Sequence, residues 1–214
     1  MTRTRKPSGK KLLDKGKPEQ ERPVNSRQKP PHFLIVCEGQ VTETSYFKGF
    51  RLSVEVEVLG TGCNTEELVR FTQKKQEQAR KEGRLYQDVW VVFDRDDFPP
   101  DDFNNAIEQA RKAGIHVAYS NEAFELWYIL HFDYMSSGVK RERYQEMLSN
   151  RLHKPYRKND VMIYHLLENL QEIAIQHAEN LLASYQPHTN PESDNPSTTV
   201  HQLVKKLNEY LFSV

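Results

Sequence analysis

The chain has 214 residues, enough for one domain of ordinary size, with 37% hydrophobic and 28% charged residues and a formal net charge of zero. That apolar content is low for a fully packed chain, so part of it is expected to be tail or loop. No apolar run approaches the ~20 residues a membrane helix needs, and no apolar stretch follows the basic N-terminus. A spanning segment and a signal peptide are therefore not expected, and a cytoplasmic protein without a membrane partner is.

The zero balance conceals an asymmetry. Residues 1–32 hold ten Lys/Arg against three Asp/Glu, which sets a +7 arm on a −7 body. Such an arm fits sequence-blind attraction to phosphates, and equally a solvated tail with no specific partner. Cys37 and Cys63 are the only cysteines. They abut expected strands and lack metal-ligand spacing, so buried thiols in a reducing compartment are expected.

In chain order, residues 1–31 are rich in Lys, Arg, Pro and Gln without apolar periodicity, and read as a disordered basic arm. His32-Phe33-Leu34-Ile35-Val36-Cys37 is a continuous apolar run of the kind buried on both faces of a parallel sheet. It ends in Glu38-Gly39-Gln40, and a helix with Thr42 as its expected N-cap follows. Val54–Leu59 alternates with period two and reads as a half-buried strand near an edge. Asn64-Thr65-Glu66-Glu67 opens a helix that Gly83 closes. Asp88–Phe93 is a second buried strand delivering Asp94-Arg95-Asp96-Asp97, and a helix over about 101–112 stops at Gly114. Ile115–Tyr119 is a fourth strand, followed by a helix carrying Phe124, Trp127 and Leu130. Ser120 and Asn121 are expected to cap it, while phosphate binding is the other use of such residues. Trp127 and His131, four apart, are expected to stack within the core.

This β-α alternation implies an α/β fold with a parallel sheet over about 32–135. From 136 to 214 the chain turns helical, with helices expected over roughly 139–150, 160–183 and 198–212 as an extension on the sheet. Ser197 or Thr198 is the expected cap of the last one. In parallel α/β sheets, sites form beyond the carboxyl ends of the strands. Glu38, Asp94 and Asp96 fall there.

A hard divalent cation such as Mg²⁺ takes oxygen ligands and retains several waters, so a few carboxylates suffice to hold it. Asp94-x-Asp96 puts two carboxylates just past one buried strand, and Glu38 ends another. Three acids so gathered repel one another unless a cation neutralises them. Acids in loops after strands are also common without a metal.

Cys37-Glu38-Gly39-Gln40-Val41-Thr42-Glu43 with Val91-Val92-Phe93-Asp94-Arg95-Asp96 resembles the Toprim domain of topoisomerases, primases and OLD-type nucleases. The resemblance implies Glu38 as general acid/base, Asp94 and Asp96 as ligands of Mg²⁺ (or Mn²⁺), and Glu43 as a further acid for a second ion. More finely, the chain is similar to the RloB, or AbiLii-like, family of prokaryotic defence proteins. Ser120-Asn121-x-x-Phe124-Glu125-Leu126-Trp127, His131-Phe132 and Asn195-Pro196-Ser197-Thr198-Thr199-Val200 extend the likeness over about 32–204. It implies a Toprim-like nuclease core, a role in abortive infection, a partner ATPase from the same locus, and cleavage of nucleic acid, with RNA, tRNA among its candidates, favoured by analogy with related effectors. The family form has a Pro or other small residue where Glu122 stands. Glu122 is therefore open between an extra ligand and a helix N-terminal acid.

Glu125 starts a helix beyond the fourth strand and either joins the same cleft or sits on the surface. Lys154-Pro155-Tyr156-Arg157-Lys158 interleaves bases with an aromatic, a mix that grips a phosphate backbone and stacks a base, or forms a solvated loop. Lys154, Arg157 and Lys158 are accordingly the candidate nucleic-acid contacts. The expected activity is metal-dependent endonuclease cleavage. Its rivals are a haloacid-dehalogenase-like phosphatase, disfavoured because Asp94 follows the third strand and not the first, and a non-catalytic metal- or partner-binding subunit. Trp90 and the helical tail suit either an oligomer interface or core packing.

Overall fold

The computed structural model describes residues 32–95 and 100–212. The basic arm and Asp96 lie outside the described residues. The fold is α/β, with an all-parallel sheet of four strands in the order β2-β1-β3-β4. These are β1 (His32–Cys37), β2 (Glu55–Gly60), β3 (Asp88–Arg95) and β4 (His116–Asn121). Between them run α1 (Thr42–Lys48), α2 (Thr65–Lys81) and α3 (Pro100–Lys112).

The two central strands have no polar side to offer water, and the structure buries both their faces. Leu34 and Val36 of β1, with Val89, Val91 and Phe93 of β3, pack against Leu68 and Val69 of α2 and Phe103, Ala106 and Ala110 of α3. The alternate residues Phe33, Ile35, Cys37, Trp90 and Val92 face α1 and the later helices. β2, whose sequence alternates, lies on the edge and is only partly buried. Asn64 caps α2, its Oδ1 accepting from the Glu67 N–H at 3.0 Å. Gly83 and Gly114 turn the chain after α2 and α3 with φ of +76° and +69°, backbone that glycine adopts without Cβ strain.

The remaining helices are α4 (Glu125–Ile129), α5 (Arg141–Leu152), α6 (Ile163–Leu167), α7 (Gln171–Ser184) and α8 (Val200–Asn208). The single helix expected over 160–183 is divided: α6 passes through a 3₁₀ turn at Glu168–Leu170 into α7. All of them share one apolar cluster with the sheet, in which Tyr144, Tyr156, Tyr164, Leu181 and Leu203 pack around Tyr46, Phe124, Trp127 and Tyr128. Trp90 belongs to this interior, buried and stacked on His116 at 4.7 Å. Among the described residues no helix is long and apolar enough to cross a membrane.

Three capping expectations are corrected. Thr42 is already inside α1; the residue before it, Val41, occupies the cap position and makes no side-chain cap bond. Ser120 and Asn121 do not cap α4, because β4 runs on through both of them. Nor do Ser197 and Thr198 occupy the cap of α8, where Thr199 stands. Instead 197–199 closes the open edge of β4. The N–H of Asn121 donates to the Ser197 carbonyl at 2.8 Å and that of Thr199 to the Tyr119 carbonyl at 2.9 Å. Ser120 and Thr198 pair as an antiparallel bridge, their hydroxyls 3.0 Å apart. An edge strand with unpaired backbone groups is thereby covered.

Candidate functional site

The strand order reverses between β1 and β3: the chain goes from β1 to β2 on one side, then returns across β1 to β3. A crevice at the carboxyl ends of such a pair is where α/β sheets place their ligands. Here Cys37 pairs with Val92, and the N–H of Glu38 donates to the Val92 carbonyl at 2.8 Å, which carries the ladder one residue beyond β1. Glu38 is thus beside Asp94, whose backbone N–H donates to Glu38 Oε2 at 3.3 Å. A cavity of about 410 Å³ opens there, lined by Glu38, Glu43, Asp94, Glu125, Arg141 and Lys158 with the 39–42 loop.

Four elements supply these carboxylates. Glu43 comes from the first turn of α1 and is buried, as is Glu125 from the first turn of α4. The 39–42 loop that joins Glu38 to Glu43 rests on Gly60, at the end of β2. A Cβ at Gly60 would stand 2.6 Å from Gln40 Cα, too close for the loop to stay where it is. Gly60 is a positioning residue that no motif in the sequence announces.

Burial and mutual repulsion favour protonated acids. Burial raises Glu38 to about 7 from an ordinary 4.5; the Asp94 N–H opposes that and the Glu43 carboxylate adds to it. Burial likewise raises Glu43, with Glu125 reinforcing the shift and the N–H of Gly39 opposing it. Asp94 is pushed well above the usual carboxylate range by burial and then by Glu43, Glu125 and Glu38. Cys37, just behind the site, has its thiol raised by burial and keeps its proton. The cations at the rim are Arg141 and Lys158, the latter 3.8 Å from Glu125 Oε1. Tyr156 is buried and donates its hydroxyl proton to the same Glu125 oxygen at 3.1 Å.

Of the residues singled out from sequence, Glu38, Glu43, Asp94, Glu125 and Lys158 share this cavity, while Asp96 lies outside the described residues. Lys154 and Arg157 do not line it: Lys154 is paired with Asp160 at 2.8 Å, and Arg157 is exposed. Tyr156 is no open stacking platform, being turned inward as a brace for Glu125. Glu122 fits neither reading given to it. Its backbone is left-handed, with φ of +64°, it precedes the helix, and its Oε1 accepts from Asn195 Nδ2 at 3.1 Å away from the acidic cavity. His131 is interior, its ring edge-on to Trp127 at 4.8 Å and its Nδ1 2.9 Å from the Trp127 carbonyl oxygen. Arg141 is a cavity residue that sequence reading missed. It sits at the start of a helix of low amphipathic contrast, with nothing local to mark it.

The donor set suits a hard cation. It is all carboxylate oxygen, and Asp94 Oδ1 is buried with no hydrogen-bond partner among the described residues. No group of three His, Cys, Asp or Glu side chains among the described residues is already drawn together as a metal cage. Asp94, whose carboxyl feels Glu43, Glu125 and Glu38 in that order, is therefore the described residue best placed to hold an ion, with the three glutamates around it in the same cavity.

The model of the RloB-like protein family matches residues 33–207. No curated protein matches the chain.

Proposed function

The chain belongs to the RloB-like family, and from that premise we propose that it is a metal-dependent nuclease of anti-phage defence, cutting nucleic-acid phosphodiesters at the acidic cavity. One observation carries the reading: carboxylates just past β1, at the end of β3 and in the first turns of α1 and α4 converge at the switch point of the sheet, those of Glu38, Glu43 and Asp94 with their proton affinities raised. Acids held in this way favour either protons or a divalent cation, and a phosphodiester brings further negative charge that the cation would balance.

In this reading Asp94 would hold Mg²⁺ or Mn²⁺ together with Asp96, as the family resemblance implies, with Glu43 and Glu125 available to a second ion. A divalent ion bound there would supply Lewis-acid stabilisation of charge on the phosphoryl group and make a water molecule more acidic. Glu38 titrates near neutrality, so it can take a proton from the attacking water and return one to the leaving oxygen. Lys158 and Arg141 at the rim draw the anionic strand toward the acids, which alone would repel it. Tyr156 fixes the Glu125 carboxylate. RNA, tRNA included, is the proposed target, and an ATPase of the same defence locus the proposed partner.

The competing reading is a non-catalytic metal- or partner-binding subunit of such a complex. The lack of a ready three-ligand group among the described residues favours it. Purified wild-type and Asp94→Ala protein, incubated with total tRNA, mRNA and plasmid DNA in Mg²⁺, Mn²⁺ or EDTA, decide between them. Discrete fragments from one substrate, absent in EDTA and with Asp94→Ala, are expected. Intact substrates throughout, even with the cognate ATPase present, would leave the binding subunit as the better account.

A further inference from the structure

A second cavity, about 250 Å³, adjoins the acidic one. Arg141 lines both and so stands between them. Arg95 lines the second cavity but not the first. Successive residues of a strand point to opposite sides, so β3 sends Asp94 into one cavity and Arg95 toward the other. Two arginines thus flank a polar pocket one residue along from the acids.

The occupant of that pocket is an anion of the protein itself. Glu192 Oε1 lies 3.3 Å from Arg95 Nη2, with the two side chains 20% and 17% exposed. The loop presenting Glu192 is tied down on both sides. Asn121 Nδ2 donates to the carbonyls of Pro191 at 3.2 Å and Asp194 at 2.9 Å, and the Asn190 N–H donates to Asp194 Oδ2 at 2.8 Å. At 3.3 Å the Arg95–Glu192 contact is longer than the roughly 2.7–2.9 Å of a strong charge-assisted bond, so it is open to exchange. The other acid of this cavity, Glu122, is engaged by Asn195, and Arg141 Nη2 donates to the Glu122 carbonyl at 2.6 Å, which holds the arginine in place.

We propose that the Arg95–Arg141 cavity binds the backbone phosphate neighbouring the one in the acidic cavity, with the Glu192 carboxylate holding its place until a strand arrives. A phosphate offers the planar guanidinium the same paired oxygens as a carboxylate and more negative charge. The subsite rests on the nuclease reading and gives it a substrate class. A small phosphoester can use the acidic cavity alone, whereas a polymer is gripped at two phosphates and held in register. It also moves the strand's path off the Lys154–Arg157 loop and toward the 190–195 loop.

The test is binding of labelled single-stranded oligonucleotides and of a dinucleotide, followed by fluorescence anisotropy across a salt series in EDTA. Glu192→Gln removes the carboxylate that faces Arg95 without touching the acids of the first cavity, and is expected to bind the oligonucleotide several-fold more tightly. Arg95→Gln is expected to bind it about tenfold more weakly, with the slope of log affinity against log salt reduced by about one. Arg95→Lys should keep that slope. The dinucleotide, with its single phosphodiester, should not distinguish the variants. Unchanged oligonucleotide affinity in Glu192→Gln would overturn the subsite even if Arg95→Gln fails to fold, and leave the nuclease reading intact. A wild-type protein that binds no oligonucleotide and cuts none would overturn both.

Discussion

Glu38 illustrates what the cavity costs the fold. Its proton affinity in the folded chain corresponds to about 7, chiefly through burial, against an ordinary 4.5. Below pH 4.5 the group is protonated whether the chain is folded or not, and it contributes no penalty. Between 4.5 and about 7 the unfolded chain releases the proton while the folded chain retains it, so stability falls as pH rises; above about 7 the penalty is constant. It amounts to roughly 3 kcal/mol. Asp94 and Glu43 shift in the same direction, so the effect of Glu38 must be read as a difference. Thermal melts of wild type and Glu38→Gln, compared from acid to neutral pH, should diverge, with the variant gaining stability relative to wild type as pH approaches 7. Mg²⁺ should narrow the gap at neutral pH by favouring the ionised acid. Parallel pH profiles without the ion would show that Glu38 titrates as an ordinary carboxylate.

At the scale of elements, the least expected feature is the covering of β4 by 197–199, and Asn121 is its anchor. The side chain is 3% exposed, and its amide serves two carbonyls of the 190–195 loop. Asn121→Ala would leave both carbonyls without that donor, a loss of about 1–3 kcal/mol. Urea unfolding should show a lower midpoint with a similar slope; an unchanged midpoint would mean that water replaces the amide freely. This feature also marks where sequence reading stops. The strands were legible because Leu34–Cys37 and Val89–Phe93 are apolar without interruption, which only a sheet buried on both faces explains. The helix ends at Gly83 and Gly114 were legible because positive φ favours glycine. The gathering of Glu38 and Asp94 followed from strand ends, since parallel neighbours deliver their termini to one side. Ser120, Asn121, Ser197 and Thr198 were not legible: their short polar side chains suit helix caps, and their actual partners lie more than 70 residues away. Arg141 and Gly60 escaped for the same reason, their roles being set by what folds against them.

For the whole molecule, the question is whether residues 136–214 are separable from the sheet. Their side chains reach the deepest part of the interior. Tyr210 meets Phe33 edge-on at 5.1 Å, Tyr164 meets Tyr46 at 5.6 Å, and Tyr156 lies 6.2 Å from Tyr128. His177 Nδ1 sits 2.8 Å from the carbonyl oxygen of Leu130. The same segment supplies Arg141 and Lys158 to the acidic cavity and the tyrosine that braces Glu125. A fragment ending at residue 135 would therefore lose the cover of its aromatic face and both rim cations, leaving buried acids with less to oppose their repulsion. Each large side chain uncovered forfeits about 1.5–3 kcal/mol, and a typical domain holds only about 5–15 kcal/mol in total. Several such losses exceed what the sheet with α1 to α4 can supply. The full chain should accordingly melt in one cooperative transition, and the 32–135 fragment should show no transition of its own and bind a hydrophobic dye such as ANS. A cooperative melt of the fragment would establish the helical segment as a separate module, docked on a sheet that is stable without it.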